Sequence, residues 1–571
     1  MQDNLSVGAG RLGRRDLPCL AAVLLLWLAV WAPRLSGPID FRWDASTYFV
    51  LGTSLAEGRG YRLLNEPGEI EAVQYPPLLP AVVAMHERAL GTSDYAVVGT
   101  SLRICYFLLS GAYLLVAYAV VRGWLEPPLA MLAVAGTGLS FYSFLYPSDS
   151  LYAEVPFGLL AMTFLLCLGR ATRPGWGLAA GVVAGAAYLL RTAGIALLAV
   201  WVLESALRRR FRQAAFRTAA AALPVLAWQL HIARVTNSPA WHEPAYPYQR
   251  AAYYYSNVTY GENSRLVDPF RPELGTTSSG GLAERVGRNL LVLPRSIGES
   301  AWIAVASGPY LVDKVYGALG ARQAQPPRSA LLAVTGGLVA LLGAAALAGA
   351  VLLLRRGERL LTLFYGICLA MIVLTPWPSQ FWRYLAPLTP LSWLFVIVTL
   401  GAAARGLARR GRPAAAAALA VLPLAAALLV QTAAAAGYLR GLLPISYYAA
   451  DGTEHRDRLL TYEPVWHALD PALEYVRRHA APADVVATSV PHLAFLRTGH
   501  RAVLPPLEPD PDTASRYLDA VPASWLVLDE LGLPGISERY AAPVVRRHPQ
   551  AWRLVWTTPG TGVRVYQRVR P

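Results

Sequence analysis

Lysine is almost absent from this chain of 571 residues: Lys314 is the only one, and arginine supplies the rest of its 51 basic side chains. Charge of either sign is scarce, at 15% of residues against about 25% in soluble domains. That deficit, with 55% hydrophobic residues and a mean hydropathy of +0.37, excludes an ordinary soluble enzyme and predicts a polytopic membrane protein. Cysteine is limited to Cys19, Cys105, Cys167 and Cys368, all in or beside apolar segments, which leaves no disulfide framework and no CxxC metal site. The tail beyond about residue 465 has no GxGxxG turn and no phosphate-binding P-loop, and the chain shows no repeat of solenoid period. The net charge of +15 sits in short arginine clusters between apolar runs, the pattern of cytoplasmic loops rather than of a nucleic-acid surface. Ala-rich, arginine-over-lysine usage suggests a GC-rich bacterial coding sequence.

What is present is a series of apolar runs of roughly 17–25 residues, the length that crosses a bilayer. They fall near 17–35, 96–121, 128–146, 151–169, 214–235, 329–354, 359–376, 384–404 and 413–437. The segment 176–207 is too long for one helix. Arginines on both flanks (Arg170, Arg173 and the run 208–212) predict a tight hairpin with Arg191 and Thr192 at its tip. The first run follows "RLGRR" and meets Pro33 at its only small-residue site, so it reads as an uncleaved signal anchor. Placing every arginine cluster inside gives about eleven transmembrane helices, a cytoplasmic N-terminus and an outer C-terminus. Residues 1–440 are then the membrane domain, with interfacial helices in a first outer loop (36–95) and a long outer loop (236–328). Residues 441–571 alternate amphipathic helices with Val-rich strands and predict an extracytoplasmic α/β domain. The expected fold is an α-helical polytopic membrane protein with a C-terminal α/β domain, located in the cell (inner) membrane.

Acidic residues just outside the first run need a reason to be there, because carboxylates at that depth lose hydration unless paired or working. Asp40 and Asp44 stand in "IDFRWDASTYFVLGTSLAEGRGY", where Asp44 and Tyr48 open an amphipathic helix that Gly58 and Gly60 stop. Asp44 could take a proton from an attacking hydroxyl, or it could cap this helix or pair with Arg42. "QYPPLLPAV" at 74–82 brings Tyr75 and two prolines that aim the next helix. "YPSDSLYAEVPFGLL" adds Asp149, suited to a helix entry, and Glu154, one turn inside an apolar helix where a charge usually faces a polar cavity. Arg191 and Arg383 sit at the outer boundary, placed either to fork onto phosphate oxygens or to snorkel to headgroups. For Arg103 snorkelling is the expectation. The aromatic run at 241–260 reads as an interfacial belt, His231, His242 and Glu243 lack metal-ligand spacing, and "NVT" at 257–259 reads as a chance sequon.

In order, "DASTYFVLGTSLAEGRGY", "YPPLLP", "SLYAEVPFGLL", "GVVAGAAYLLRTAG" and "RYLAPLTP" resemble the GT-C membrane glycosyltransferases, the class of protein O-mannosyltransferases and lipid A aminoarabinose transferases. The match spans residues 17 to roughly 400, and "ADVVATSVPHLAFLRTGHRAVL" and "SWLVLD" are similar to C-terminal domains of many bacterial members. The resemblance implies a polyprenyl-phosphate sugar donor, a lipid, glycan or protein acceptor, and inversion at the sugar carbon. It casts Asp44 as general base and Glu154, two before Pro156, as the acidic-x-Pro acid, both catalytic. Tyr48, Tyr75, Asp149, Arg191, Arg383 and Tyr384 become substrate-binding residues. Two departures matter. Ala45 follows Asp44 where an Asp-Glu pair is usual, and Gln74-Tyr75-Pro76 replaces a Glu-Lys-Pro. A carboxylate ligand and a phosphate-binding lysine are thus missing, which leaves no metal ligand to name, no certain cofactor, and the phosphate's counter-charge on arginine. A polyprenyl-lipid transporter or flippase and a non-catalytic envelope scaffold are the rival classes. Internal repeats and mid-membrane charges would mark the transporter.

Overall fold

The computed structural model describes residues 12–171, 173–244, 246–249, 255–302, 328–448, 451–531 and 535–569. The expected residue Lys314 and part of the aromatic run, 250–254, lie outside them. The chain divides into two units, each built from separated stretches.

The first unit comprises Met1–Leu35, Ile104–Val225 and Ala283–Gly441 and is wholly helical among its described residues. Each apolar segment expected from the sequence is helical, one of them with a break. Among the described residues, five helices are long and apolar enough to cross a membrane, at 14–34, 95–121, 332–355, 378–409 and 413–440, and four shorter apolar helices lie at 154–168, 175–190, 192–207 and 359–373. Their starts follow local chemistry. Pro127, Pro174 and Pro413 each occupy a first helical position, where a missing N–H costs nothing. The expected single span at 128–146 is instead broken: Pro127–Gly138 and Phe141–Asp149 meet at 73°. Ser140 is extended there and its side chain accepts from the Ser143 N–H, capping the second piece.

The hairpin at 176–207 is present as helices Pro174–Leu190 and Ile195–Leu207. They run antiparallel, since the Trp201 Nε1–H near the end of the second donates to the Gly177 carbonyl near the start of the first, at 2.8 Å. Close helix contacts rest on small residues. A Cβ on Gly136 would lie 2.5 Å from the Trp393 ring, whose own N–H donates to the Ala301 carbonyl. Buried charges are paired: Asp16 accepts from Tyr118 and Arg122, and Glu204 from Arg217.

The second unit joins Ser36–Arg103 and Leu226–Leu282 to Leu442–Pro571. Its centre is a five-stranded sheet of order β4-β3-β5-β7-β6, with β3 at Val485–Ala487, β4 at Arg501–Val503, β5 at Ala523–Leu528, β6 at Trp552–Thr557 and β7 at Arg564–Arg568. A separate antiparallel pair, β1 (Leu443–Tyr448) and β2 (Glu454–Leu459), precedes it. Strands β3 and β5 are buried on both faces, which explains their unbroken apolar sequence. Strand β4 would leave an open edge. The loop at 62–71 occupies it, with Asn65 and Ala502 exchanging two hydrogen bonds and Arg501 reaching the Glu66 carbonyl and the Glu69 carboxylate.

Three expectations change here. Arg103 does not snorkel; it is 1% exposed and donates to the Ser36 carbonyl. Tyr248, assigned to an interfacial belt, is fully buried near Tyr517. Asn257 of the sequon is 1% exposed, accepts from the Val73 N–H and donates to the Glu71 carbonyl, which puts it out of reach of a glycosylating enzyme.

Helix Leu78–Leu90 carries Glu87, buried against the Asp44 helix and accepting from the Thr53 hydroxyl at 2.7 Å. Burial pushes its carboxyl up from the usual glutamate value to about 7. An acid with a raised folded-state pKa stabilises the fold most below its unfolded pKa and loses that contribution as pH rises towards 7. Glu87→Gln should therefore flatten the thermal stability profile between pH 4.5 and 7 and be more stable than wild type at pH 8 by about 1–2 kcal/mol, solvent screening included. Parallel melting profiles for the two proteins would refute this.

Candidate functional site

All the sequence-predicted site residues but Asp149 gather in two clusters, one in each unit. In the second unit Asp44 is the first residue of helix Asp44–Ala56, half-buried, with Trp43 as the N-cap. Trp43 has φ 56° and ψ −131°, a backbone that costs a non-glycine residue about 1–3 kcal/mol and needs its surroundings to hold it. Those surroundings are identifiable. Arg42 is locked by both oxygens of Asp40, by Glu463 at 2.7 Å and by the Thr461 carbonyl at 2.6 Å. The Trp43 ring stands edge-on to Trp466 at 5.1 Å. The chain is thus anchored immediately before Asp44, and the helix then aims its carboxylate.

Two alternatives for Asp44 are narrowed by this arrangement. Arg42 pairs with Asp40 and Glu463, and the N-cap position belongs to Trp43. The Asp44 Oδ1 accepts from the Tyr75 hydroxyl at 3.0 Å, and the Tyr75 ring meets Tyr48 edge-on at 4.9 Å. Burial, reinforced by the Asp44 charge, holds the Tyr75 phenol well above its usual pKa, so it stays a donor to the carboxylate. Pro76 and Pro77 end the loop as expected, with the next helix starting at Leu78. Asp44, Tyr48 and Tyr75 therefore come together.

One residue of this cluster was not foreseen. His492 lies on helix Pro491–Thr498, which packs against the Asp44 helix. It is 5% exposed, and burial lowers its pKa to about 4, with Asp44 pulling the other way. The imidazole is neutral at physiological pH. A lone histidine 448 positions along the chain gives no local signal. The sequence pattern "VVATSVPH", a strand end running into a helix start, was the only hint.

In the first unit Glu154 opens helix Glu154–Leu168 with a side chain that is 0% exposed. Its Oε1 accepts from Arg191 Nη1 at 3.1 Å and from Arg383 Nε at 2.5 Å. Arg191 stands at the tip of the helical hairpin with an extended backbone, and Arg383 on the short helix Phe381–Leu385. Each guanidinium lies over an aromatic face, Arg191 over Tyr384 at 5.0 Å and Arg383 over Tyr152 at 4.3 Å. Both arginines keep a little exposure, 16% and 15% of the side chain. Two guanidinium groups thus meet on one carboxylate oxygen, in a place that solvent reaches.

Asp149 does not join that cluster. It is buried beside Arg34, which it approaches at 3.9 Å while the same guanidinium donates to the Leu145 carbonyl at 2.8 Å and stacks on Trp31. Arg34 was missed because it ends an apolar run and looks like an interfacial flank. For a metal the donor set is poor. Among the described residues no three His, Cys, Asp or Glu side chains gather, and Ala45 stands next to Asp44. His231 serves the fold, stacked on Trp228 and bonded to the Ala72 carbonyl. The described residues do not fit a divalent ion held by protein ligands alone.

Across almost its whole length the chain is similar to the oligosaccharyltransferase of Archaeoglobus fulgidus in complex with zinc and sulfate. The TM-score is 0.52 at 14% identity, over 96% of this chain and 73% of that one. The same archaeal enzyme tethered to an acceptor peptide containing the NVT sequon gives 0.48 at 12% identity, over 97% and 74%. Cupriavidus metallidurans ArnT bound to undecaprenyl phosphate gives 0.40 at 15% identity, over 97% and 98%. No protein-family model matches the sequence, and no curated protein matches it. The first likeness is one of fold alone, and the helical membrane fold with a C-terminal α/β domain expected from the sequence is the fold found.

Proposed function

We propose that this protein is a membrane glycosyltransferase that moves a sugar from a polyprenyl-phosphate donor to a hydroxyl-bearing envelope or exported acceptor, on the extracytoplasmic side, with inversion at C1. The observation that carries the reading is the convergence of Arg191 and Arg383 on the single oxygen of Glu154, each guanidinium lying over an aromatic ring and keeping some exposure. Such a site suits a phosphate that becomes more negative as it departs. The shared fold with an oligosaccharyltransferase supports the same class of chemistry.

The steps follow from the groups available. The acceptor oxygen attacks C1 while the C1–O bond to phosphate breaks, and that bond's electron pair goes to the phosphate oxygen. Positive charge builds on the sugar ring in an oxocarbenium-like transition state, as in glycosidic cleavage generally. Arg191 and Arg383 offset the phosphate charge, a contribution of about 3 kcal/mol per well-placed donor in a closed site. Asp44 takes the acceptor's proton, and Tyr75 keeps its carboxylate oriented. Glu154 acts through the arginines it holds, and Tyr48 and Tyr384 support Tyr75 and Arg191.

Purified protein in lipid nanodiscs, given polyprenyl-phosphate hexoses and pentoses with an envelope extract, should release polyprenyl phosphate and glycosylate a component of the extract. No release from any donor would end the proposal. Arg191→Ala and Arg383→Ala should each weaken donor binding about 10- to 100-fold, the cost of losing a charge-assisted hydrogen bond. Unchanged donor affinity in both would instead make them lipid-headgroup anchors.

A further inference from the structure

The α/β domain carries its own ligand-binding geometry, and a helix of it packs against the helix that begins with Asp44. Strand β3 has parallel neighbours on both sides, β4 and β5; its own connection runs to β4 on one side while that of β5 runs on to β6 on the other, so the order reverses between β3 and β5. Open α/β sheets bind ligands at the C-terminal ends of strands where the order reverses in this way. The residues at that end are Thr488, the first after β3, and His492, on the helix that follows. Both are buried. Among the described residues neither the Thr488 Oγ1 nor the His492 Nε2 has a hydrogen-bond partner. Buried polar atoms without partners are costly in a folded protein, and each requires an explanation. Here the helix bearing His492 packs on the helix that begins with Asp44, and the Asp44 charge acts on the imidazole.

We infer that His492 is an acceptor-binding residue: its open Nε2–H donates to a hydroxyl oxygen of the acceptor and holds that molecule where Asp44 can take its proton. The inference rests on the reading of Asp44 given above and adds the α/β domain to the acceptor side of the reaction. It also names the acceptor's chemistry, a molecule with at least one hydroxyl oxygen free to accept. A neutral imidazole suits that task, because it donates a hydrogen bond without competing with Asp44 for the proton.

The test compares wild type, His492→Leu, His492→Gln and Asp44→Asn in nanodiscs, with polyprenyl-phosphate sugar as donor and an envelope extract titrated as acceptor. His492→Leu should raise the half-saturating amount of extract about tenfold or more, since one buried hydrogen bond is lost. Its rate at saturation, donor affinity and melting temperature should match wild type. His492→Gln, whose amide nitrogen reaches the Nε2 position, should stay within about threefold of wild type. Wild-type half-saturation in His492→Leu, with Asp44→Asn inactive, overturns this inference and leaves the glycosyltransferase reading intact. Equal impairment of Leu and Gln variants with lowered melting temperatures assigns His492 to packing and overturns it too. Normal transfer by Asp44→Asn removes the reading of Asp44 and this inference together.

Discussion

Asp44→Asn should abolish sugar transfer to within detection, a loss of about 10²- to 10⁴-fold, while donor-lipid binding and folding persist. The substitution removes only the proton-accepting charge. Asparagine has the same shape, its Oδ1 can still accept from the Tyr75 hydroxyl, and the anchors of Arg42 and Trp43 do not involve the carboxylate. Polyprenyl-phosphate binding measured beside transfer separates the rival readings. A flippase would keep moving lipid in the variant, and a scaffold would show no transfer even as wild type. Transfer at the normal rate by the variant would refute the assignment of Asp44.

How far the sequence could be read depended on the range of the interaction. Helices were legible because periodicity, proline placement and glycine stops act within one turn. Thus the Asp44 helix starts at Asp44 and stops before Gly58, and the hairpin turns at Arg191. The broken helix at Ser140 was not legible, because its apolar composition continues across the break and only the backbone reveals the 73° bend. Long-range pairings were invisible for a different reason. No local pattern says that Asn65 will close the edge at Ala502, that Glu463 will hold Arg42, or that Asp149 will face Arg34. The resemblance to GT-C enzymes placed Asp44 and the arginines as candidates through motif order. It could not show that Glu154 is the residue on which Arg191 and Arg383 both converge.

That convergence makes Glu154 the second informative position. Glu154→Gln keeps the side chain's shape and one acceptor for the guanidinium groups but removes the negative charge on which both converge. Breaking a buried ion pair from one side costs about 3–5 kcal/mol, because the remaining charge stays desolvated. The variant should therefore melt well below wild type without ligand. An anionic donor brings a replacement charge to the same place, so polyprenyl phosphate should raise the variant's melting temperature more than it raises that of wild type. Thermal melts of both proteins with and without the lipid read this directly. If Glu154 instead exchanged a proton during the reaction, transfer would fall at least about 100-fold while lipid binding and melting stayed as in wild type. Destabilisation that the lipid does not relieve would mean that Arg191 and Arg383 bind no phosphate, and the donor site would have to be sought elsewhere.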